Sequence, residues 1–92
     1  MVRIELTRHA EEKIRVRRVD MNDVLQIISR PNMLFRDVES DTLVAIGIIG
    51  QRMLVIVFTR RDDMVRIVTV YYSSSVDKLI RRKVDRGVWV RA

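Results

Sequence analysis

The longest apolar stretch of the chain is divided into three runs by two short polar breaks. The runs cover residues 42–49, 52–60 and 64–72 and are rich in Val, Ile, Thr, Phe and Tyr. Because β-branched and aromatic side chains fit a pleated surface, each run predicts a β-strand. The breaks at Gly50-Gln51 and at residues 61–63 are short and contain turn-forming residues, so we predict an antiparallel three-stranded meander.

Both faces of the middle strand are predicted to be apolar. Side chains alternate between the two faces of a strand. The two predicted faces are formed by Met53, Val55 and Val57, and by Leu54, Ile56 and Phe58. We expect helices to cover one face, and a further element, the C-terminal tail or a second copy of the chain to cover the other.

A charged residue interrupts the last strand of the meander. Strict alternation predicts that Arg66 shares its face with Met64, Val68, Val70 and Tyr72. A charge in such a place lies at the rim of the sheet, pairs with a carboxylate, or faces a ligand.

Before the meander, the sequence predicts a strand, two helices and a second strand. Residues 2–6 alternate apolar and charged side chains, as a short edge strand does. Thr7 and Asp20 are predicted to cap the two helices, because their side-chain oxygens can accept hydrogen bonds from N–H groups of the first turn. Pro31 is expected to end the second helix, and residues 33–37 form the next strand candidate.

After the meander, Ser75 is predicted to cap a last helix that ends at Gly87. The apolar tail Val88-Trp89-Val90 then docks on the core of its own chain or on a partner chain. The order of strand, helix, helix, four strands and helix predicts one α+β domain. Its two N-terminal helices pack on a mainly antiparallel sheet, and a C-terminal helix follows.

Charge changes the functional picture more than the fold. The chain has 92 residues, a formal net charge of +6 and an isoelectric point near 10.7. Most of its basic residues are arginines, which form planar, bidentate contacts with phosphate. This excess of positive charge, carried mainly by arginine, favours RNA or DNA as a partner. The alternative is an ion-paired, arginine-rich surface of the kind found in thermophilic proteins.

Composition also excludes several kinds of site. The chain contains no cysteine and one histidine, so neither thiolate nor multi-histidine metal sites can form within one chain. We expect no metal and no cofactor. No apolar run is long enough for a membrane helix, and the first residues show no signal-peptide pattern. The sequence therefore predicts a soluble, cytoplasmic protein.

The candidate chemistry rests on dispersed basic and aromatic residues, because no phosphate-binding glycine loop, nucleophile elbow or paired-carboxylate motif is present. His9 falls in the first turn of the first predicted helix, where its imidazole could act as a general base or simply pack locally. Arg66 could bind a phosphate while a neighbouring tyrosine stacks on a base; packing within the sheet is the alternative. The candidate catalytic residues are His9, Arg66 and Tyr71, with Tyr72 as the alternative to Tyr71 because adjacent residues face opposite ways.

Four further arginines are candidates for contacts with nucleic acid. Arg52 and Arg60 belong to the middle strand, and Arg81 and Arg82 belong to the last helix. The alternative for the two helix residues is an ordinary solvated helix face.

The chain resembles a family of small prokaryotic domains of unknown function. The run Leu6-Thr7-Arg8-His9-Ala10 is similar to the Thr-x-His-Ala helix with which members of that family open. Residues 44–59 and 66–70 resemble the sheet of the same family and of the BrnT toxins. Both groups are similar to the RelE/ParE superfamily, in which two N-terminal helices pack on an antiparallel sheet. The chain departs from BrnT-like proteins at Tyr71-Tyr72-Ser73, where these usually have an Ala-Arg type segment.

The resemblance implies a metal-independent endoribonuclease that cleaves RNA through the ribose 2′-hydroxyl, with a cognate antitoxin as a candidate partner. RelE-like sites use basic residues, often with a tyrosine, on the sheet and the last helix. The residues of this chain in such places are Arg52, Arg60, Arg66, Tyr71 or Tyr72, and Arg81 or Arg82.

Three functional hypotheses remain open on the sequence. The first is a toxin-like endoribonuclease, and the second is a non-catalytic relative that binds RNA or DNA. The third is a dimeric protein-binding module, such as the partner of an antitoxin, without a nucleic-acid role. Catalysis requires His9 or a tyrosine–arginine set to meet at one phosphate, whereas binding requires only a basic patch.

The apolar tail also predicts self-association. Tryptophan is enriched at interface centres because it buries a large area with few rotatable bonds, and a two-fold dimer is the commonest way to cover an apolar patch. We therefore expect a homodimer with Trp89 near its interface. The competing possibility is a monomer whose tail folds back on its own sheet.

Overall fold

A six-stranded mixed sheet forms the centre of the structure. The computed structural model describes residues 2–92. Its elements are β1 (Arg3–Leu6), α1 (Arg8–Val16), α2 (Met21–Ser29), β2 (Met33–Asp37), β3 (Thr42–Ile49), β4 (Arg52–Arg61), β5 (Met64–Ser73), α3 (Val76–Asp85) and β6 (Trp89–Arg91). The strand order across the sheet is β1-β5-β4-β3-β2-β6. The predicted α+β class is therefore confirmed.

The predicted meander is confirmed in β3, β4 and β5. These strands pair antiparallel, and β4 and β5 each extend one residue beyond the predicted end. The two turns contain Gly50 and Asp62, which adopt positive φ angles of 63° and 55°; glycine and aspartate are residue types that tolerate this region. The strand β1 lies at one edge, as predicted, and pairs parallel with β5.

The two N-terminal helices begin at the predicted caps. Thr7 Oγ1 accepts a hydrogen bond from Ala10 N at 3.0 Å, and its hydroxyl donates to Val68 O at 2.9 Å. Asp20 Oδ1 accepts from Asn22 N at 2.8 Å. The Thr7 hydroxyl thus caps α1 and also ties the start of that helix to the middle of β5.

The last helix begins at Val76, and its predicted cap differs in detail. Ser75 occupies the N-cap position without a side-chain capping bond, whereas its own N–H donates to Ser73 Oγ at 3.2 Å. Gly87 follows the helix with a φ of 72°, so the predicted stop is confirmed.

Helices cover both faces of the sheet. One core cluster lies under α1 and α2, and a second lies on the opposite face under α3 and Trp89. The expectation that helices cover a single face was wrong. Val76, Leu79 and Ile80 form an apolar stripe on α3, and this stripe packs across the face that includes Val55.

The C-terminal tail folds back on its own sheet. It forms the short strand β6, which pairs antiparallel with β2. Trp89 is only 3% exposed, stacks on Phe35 with ring centroids 5.4 Å apart, and donates from Nε1 to Asp37 Oδ2 at 3.1 Å. The tail thus folds back on its own sheet, and the burial of the indole within the chain removes the reason for placing Trp89 at an intermolecular interface. The homodimer stays a prediction, without the tail as its basis.

Gly47 marks a close approach between β3 and α2. A Cβ at this position would overlap the side chain of Ile27. We expect Gly47→Ala to lower the free energy of unfolding by about 1–3 kcal/mol, the usual cost of overpacking a core. Urea unfolding followed by circular dichroism measures the change.

The same measurement on Ile27→Ala and on the double variant tests the cause. Removing the Ile27 side chain makes room for the new methyl group, so the double variant should lose less stability than the two single losses added together. Strict additivity would contradict the proposed overlap.

Candidate nucleic-acid interface

A β-bulge in β5 decides which side chains reach the exposed part of the sheet. The register with β4 shifts between Val57 and Phe58, which pair with Thr69 and Ile67 and leave Val68 as the extra residue. The side chains of Arg66 and Tyr71 therefore share the face that α3 partly covers. Val70 and Tyr72 belong instead to the core cluster under α1 and α2.

Strict alternation predicted that Arg66 shares its face with Val70 and Tyr72, and the bulge at Val68 makes this prediction wrong. A bulge adds one residue to one strand, and every residue beyond it changes face. The residues that share the Arg66 face are Met64, Thr69, Tyr71 and Ser73, together with Glu5 of β1 and Thr59 of β4, which are the direct neighbours of Arg66 in the sheet.

The helix α3 leaves one corner of this face open. Along β4, Val55 is fully buried, Val57 and Thr59 are half-buried and Arg61 is exposed. Along β5, Thr69 and Tyr71 are half-buried and Arg66 is exposed. Exposure therefore increases towards the end of the sheet at which β4 turns into β5.

A cleft occupies this corner and passes over the end of β4. We call it the basic cleft; it is lined by Glu5, Arg36, Asp41, Thr42, Leu43, Thr59, Arg60, Arg61, Met64 and Arg66. Because three consecutive residues of β4 line it, the cleft extends around the strand end. Four arginines face two carboxylates there, so the lining has an excess of positive charge.

The two carboxylates of the basic cleft each lie close to an arginine. Arg66 Nε is 3.8 Å from Glu5 Oε1, and Arg36 Nη2 is 3.7 Å from Asp41 Oδ1. All four side chains are more than half exposed, so these pairs hold their arginines weakly. Within residues 2–92 no carboxylate pairs with Arg60 or Arg61. These two guanidinium groups are open to an anionic ligand.

Tyr71 lies on the same sheet face as Arg66, outside the lining of the basic cleft, and its phenol is neutral. Burial raises the pKa of its hydroxyl above the ordinary value of 10, although the guanidinium of Arg82 on α3 acts in the opposite direction. The phenol therefore keeps its proton at neutral pH and can donate a hydrogen bond. Arg86 lies one helical turn beyond Arg82 and extends the basic edge of α3.

The three predicted catalytic residues do not meet at one point. Arg66 and Tyr71 share an open sheet face, as described above. His9 is exposed at the start of α1, a helix whose Ala10 packs into the cluster on the opposite face. His9 therefore belongs to a helix on the opposite side of the sheet from the face that Arg66 and Tyr71 share.

The four predicted nucleic-acid-binding arginines occupy different regions. Arg60 lines the basic cleft, and Arg82 lies beside Tyr71. Arg52 is placed over the ring of Tyr72, with its Cζ 4.0 Å from the ring centroid, on the α1 and α2 side. Arg81 is exposed on α3 and points about 100° away from Arg82 around the helix.

Sequence reasoning missed several residues of this region: Glu5, Arg36, Thr59, Arg61 and Thr69. Thr59 and Arg61 could have been found from the alternation of β4, because they continue the face of Val55 and Val57. Glu5 required knowledge that β1 pairs with β5, and Thr69 required the bulge.

Residues 6–72 match the family described as a domain of unknown function (DUF4258). The chain belongs to the DUF4258 family. The match confirms the expected membership in a family of domains of unknown function. It begins at the end of β1 and stops within β5, so the DUF4258 region includes Arg60, Arg66 and Tyr71 but excludes Arg82 and Trp89. No curated protein and no solved structure matches the chain.

Two further properties of this DUF4258 protein concern the described residues as a whole. No helix among them is long and apolar enough to cross a membrane. They contain no group of three or more acidic or histidine side chains that could hold a metal ion.

Proposed function

We propose that this DUF4258 protein binds single-stranded RNA in the basic cleft. The supporting observation is the meeting of Arg36, Arg60, Arg61 and Arg66 in one open cleft, with Tyr71 on the adjoining sheet face. Arginine pairs with phosphate in a bidentate manner. Aromatic rings and guanidinium planes stack on unpaired bases. An extended strand can meet all of these groups, whereas a duplex hides its base faces.

Binding of this kind is expected to weaken steeply with salt. Each phosphate neutralised on a single strand releases counterions, so a contact from each of four arginines predicts a slope of log affinity against log salt of about −3. Fluorescence anisotropy of a labelled mixed-sequence RNA at several salt concentrations measures this slope. In Arg60→Ala/Arg61→Ala, we expect a slope less steep by about 1.4, because two phosphate contacts are lost.

The matched control removes the same charge elsewhere. Arg15 and Arg17 are exposed at the end of α1, on the opposite side of the sheet, so Arg15→Ala/Arg17→Ala should leave the slope close to that of the unaltered protein. An equal loss in both variants would show that binding follows net charge rather than the basic cleft. Absence of binding to RNA at low salt would reject the proposed function.

A second candidate function is cleavage of the bound RNA. It is favoured by the bulge, which brings Arg66, Tyr71 and Glu5 to one face, and it agrees with the resemblance to the RelE/ParE and BrnT toxins. Cleavage through the ribose 2′-hydroxyl forms a bond from the 2′-oxygen to phosphorus and breaks the bond to the 5′-oxygen. The base takes the 2′-hydroxyl proton, and an acid protonates the leaving 5′-oxygen.

Each of these three residues suits one part of that reaction. The neutral Tyr71 phenol can supply the proton to the 5′-oxygen, and Arg66 can stabilise the charge that develops on the phosphate. Glu5 is the carboxylate beside Arg66 and can accept the 2′-hydroxyl proton. A cognate antitoxin would be the natural partner of such an enzyme, and the basic cleft is the surface that it would have to block.

A further inference from the structure

Two threonines lie on the open face near Arg66 and Tyr71: Thr69 lies between these two residues along β5, and Thr59 lies level with Arg66 on β4. Thr59 is the direct neighbour of Arg66 across β4 and β5, and Thr69 is the direct neighbour of Val57 two residues back along β4. Diagonal neighbours in a sheet are roughly 7–8 Å apart, so the two hydroxyls form a pair on one surface. Both residues are half-buried, which limits their rotamers without closing them to a ligand.

The hydroxyls of Thr59 and Thr69 have no partner in the described part of the chain. The hydroxyl of Thr7 donates to Val68 O, and that of Thr42 bonds to Ser40 Oγ at 2.8 Å. No comparable bond joins Thr59 or Thr69 to another group of residues 2–92. Each hydroxyl therefore retains one donor and two acceptor positions for a ligand.

The order of groups along β5 matches the order of groups in a nucleotide. Arg66 comes first, Thr69 second and Tyr71 third, and their side chains share one face because of the bulge at Val68. A nucleotide likewise has a phosphate, then a ribose, then a base. With its phosphate on Arg66 and its base against Tyr71, a bound nucleotide would place its ribose over Thr69, and Thr59, level with Arg66 on β4, would face the side of the ribose next to the phosphate.

We propose that Thr59 and Thr69 recognise the ribose 2′-hydroxyl and thereby make the cleft selective for RNA over single-stranded DNA. This inference rests on the proposed RNA-binding function and adds the sugar as the recognised group. The 2′-hydroxyl is both a donor and an acceptor, and it is the group by which a protein distinguishes RNA from DNA at a given position. A threonine hydroxyl complements it in either direction.

The test compares matched RNA and DNA strands of one sequence, at one low salt concentration, for the unaltered protein and for Thr59→Val/Thr69→Val. Valine keeps the shape of threonine, favours strands and removes the hydroxyl. Losing one hydrogen bond to the ligand lowers the binding constant by a factor of about five. The double variant should therefore bind RNA roughly tenfold or more weakly and bind DNA as before, so that the preference for RNA disappears. RNA methylated at the 2′-oxygen should bind the unaltered protein about as weakly as DNA does.

Thr59→Ser/Thr69→Ser is the matched control, because serine retains the hydroxyl. It should keep a clear preference for RNA, and circular dichroism checks that both double variants fold. Equal binding of RNA and DNA by the unaltered protein, or an RNA preference that survives in the valine variant, would reject the role of the threonines while leaving RNA binding intact. Failure of the unaltered protein to bind either strand would reject both proposals.

Discussion

Replacing Trp89 by alanine is expected to lower the free energy of unfolding by about 3–5 kcal/mol. The indole is almost completely buried, stacks on Phe35 and donates a hydrogen bond to Asp37. Its removal leaves a cavity and deprives the carboxylate of a partner. Since small domains are stable by only about 5–15 kcal/mol, the variant should be marginally folded. Urea unfolding followed by circular dichroism measures the loss.

Two further variants separate the sources of this stability. Trp89→Phe keeps an aromatic ring for stacking but lacks the Nε1 donor. Its free energy of unfolding should therefore lie between those of the unaltered protein and Trp89→Ala. Val90→Ala changes the next residue, which is 45% exposed, and should cost less than about 0.5 kcal/mol. A loss below 1 kcal/mol in Trp89→Ala would show that the tail does not hold the core together.

Acid should weaken the hydrogen bond between Trp89 and Asp37 by protonating the carboxylate. Burial acts to raise the pKa of Asp37, but hydrogen bonds from Ser40, Trp89 and Glu39 outweigh it and leave the pKa below its ordinary value of 3.8. A lowered pKa in the folded state stabilises the protein above the pKa of the unfolded state. This contribution disappears as the pH falls through the folded-state pKa, so the stability difference caused by Trp89→Ala should shrink in that window below pH 4.

Cleavage of RNA, if it accompanies binding, is expected to fall about 100-fold in Arg66→Ala and in Tyr71→Phe. Losses of this order are typical when a group that stabilises developing charge or transfers a proton is removed. The rate should not change with EDTA, because attack by the 2′-hydroxyl needs no metal ion. Gel analysis of a labelled RNA incubated with purified protein measures the rate.

The adjacent tyrosine supplies the matched control for this prediction. Tyr72 packs in the cluster under α1 and α2, so Tyr72→Phe should cleave like the unaltered protein. His9→Ala should do the same, because α1 lies on the other side of the sheet. Unchanged cleavage in Arg66→Ala and Tyr71→Phe would contradict the proposed site and point to a contaminating nuclease. Absence of cleavage by the unaltered protein would reject catalysis and leave binding standing.

Local sequence determined every element of this fold except β6. The three apolar runs became β3, β4 and β5, and Thr7, Asp20 and Gly87 delimit helices as predicted. Each of these features depends on neighbours a few residues away: side-chain alternation along a strand, an oxygen close to the N–H groups of a helix turn, or a glycine that adopts positive φ. Such short-range physics is contained in the sequence itself.

The candidate site was predicted only in part. Of the candidates, Arg66 and Tyr71 lie on the open face and Arg60 lines the basic cleft, whereas the sequence left the choice between Tyr71 and Tyr72 open. The other residues predicted to share the face of Arg66 were partly wrong, because strict alternation does not account for the bulge at Val68. His9 was a candidate because of its residue type and its place in the first turn of α1, and neither says on which side of a sheet a helix packs.

Tertiary structure alone decided the rest. The pairing of β1 with β5 places Glu5 beside Arg66, and the extra residue at Val68 brings Thr69 and Tyr71 to the same face. The pairing of β6 with β2 turned an apolar tail that could have met a partner into part of the core. These contacts join residues far apart in sequence, and their free energy depends on register and on which face is already covered. Composition and periodicity determine neither the register of the strands nor which face of the sheet is covered.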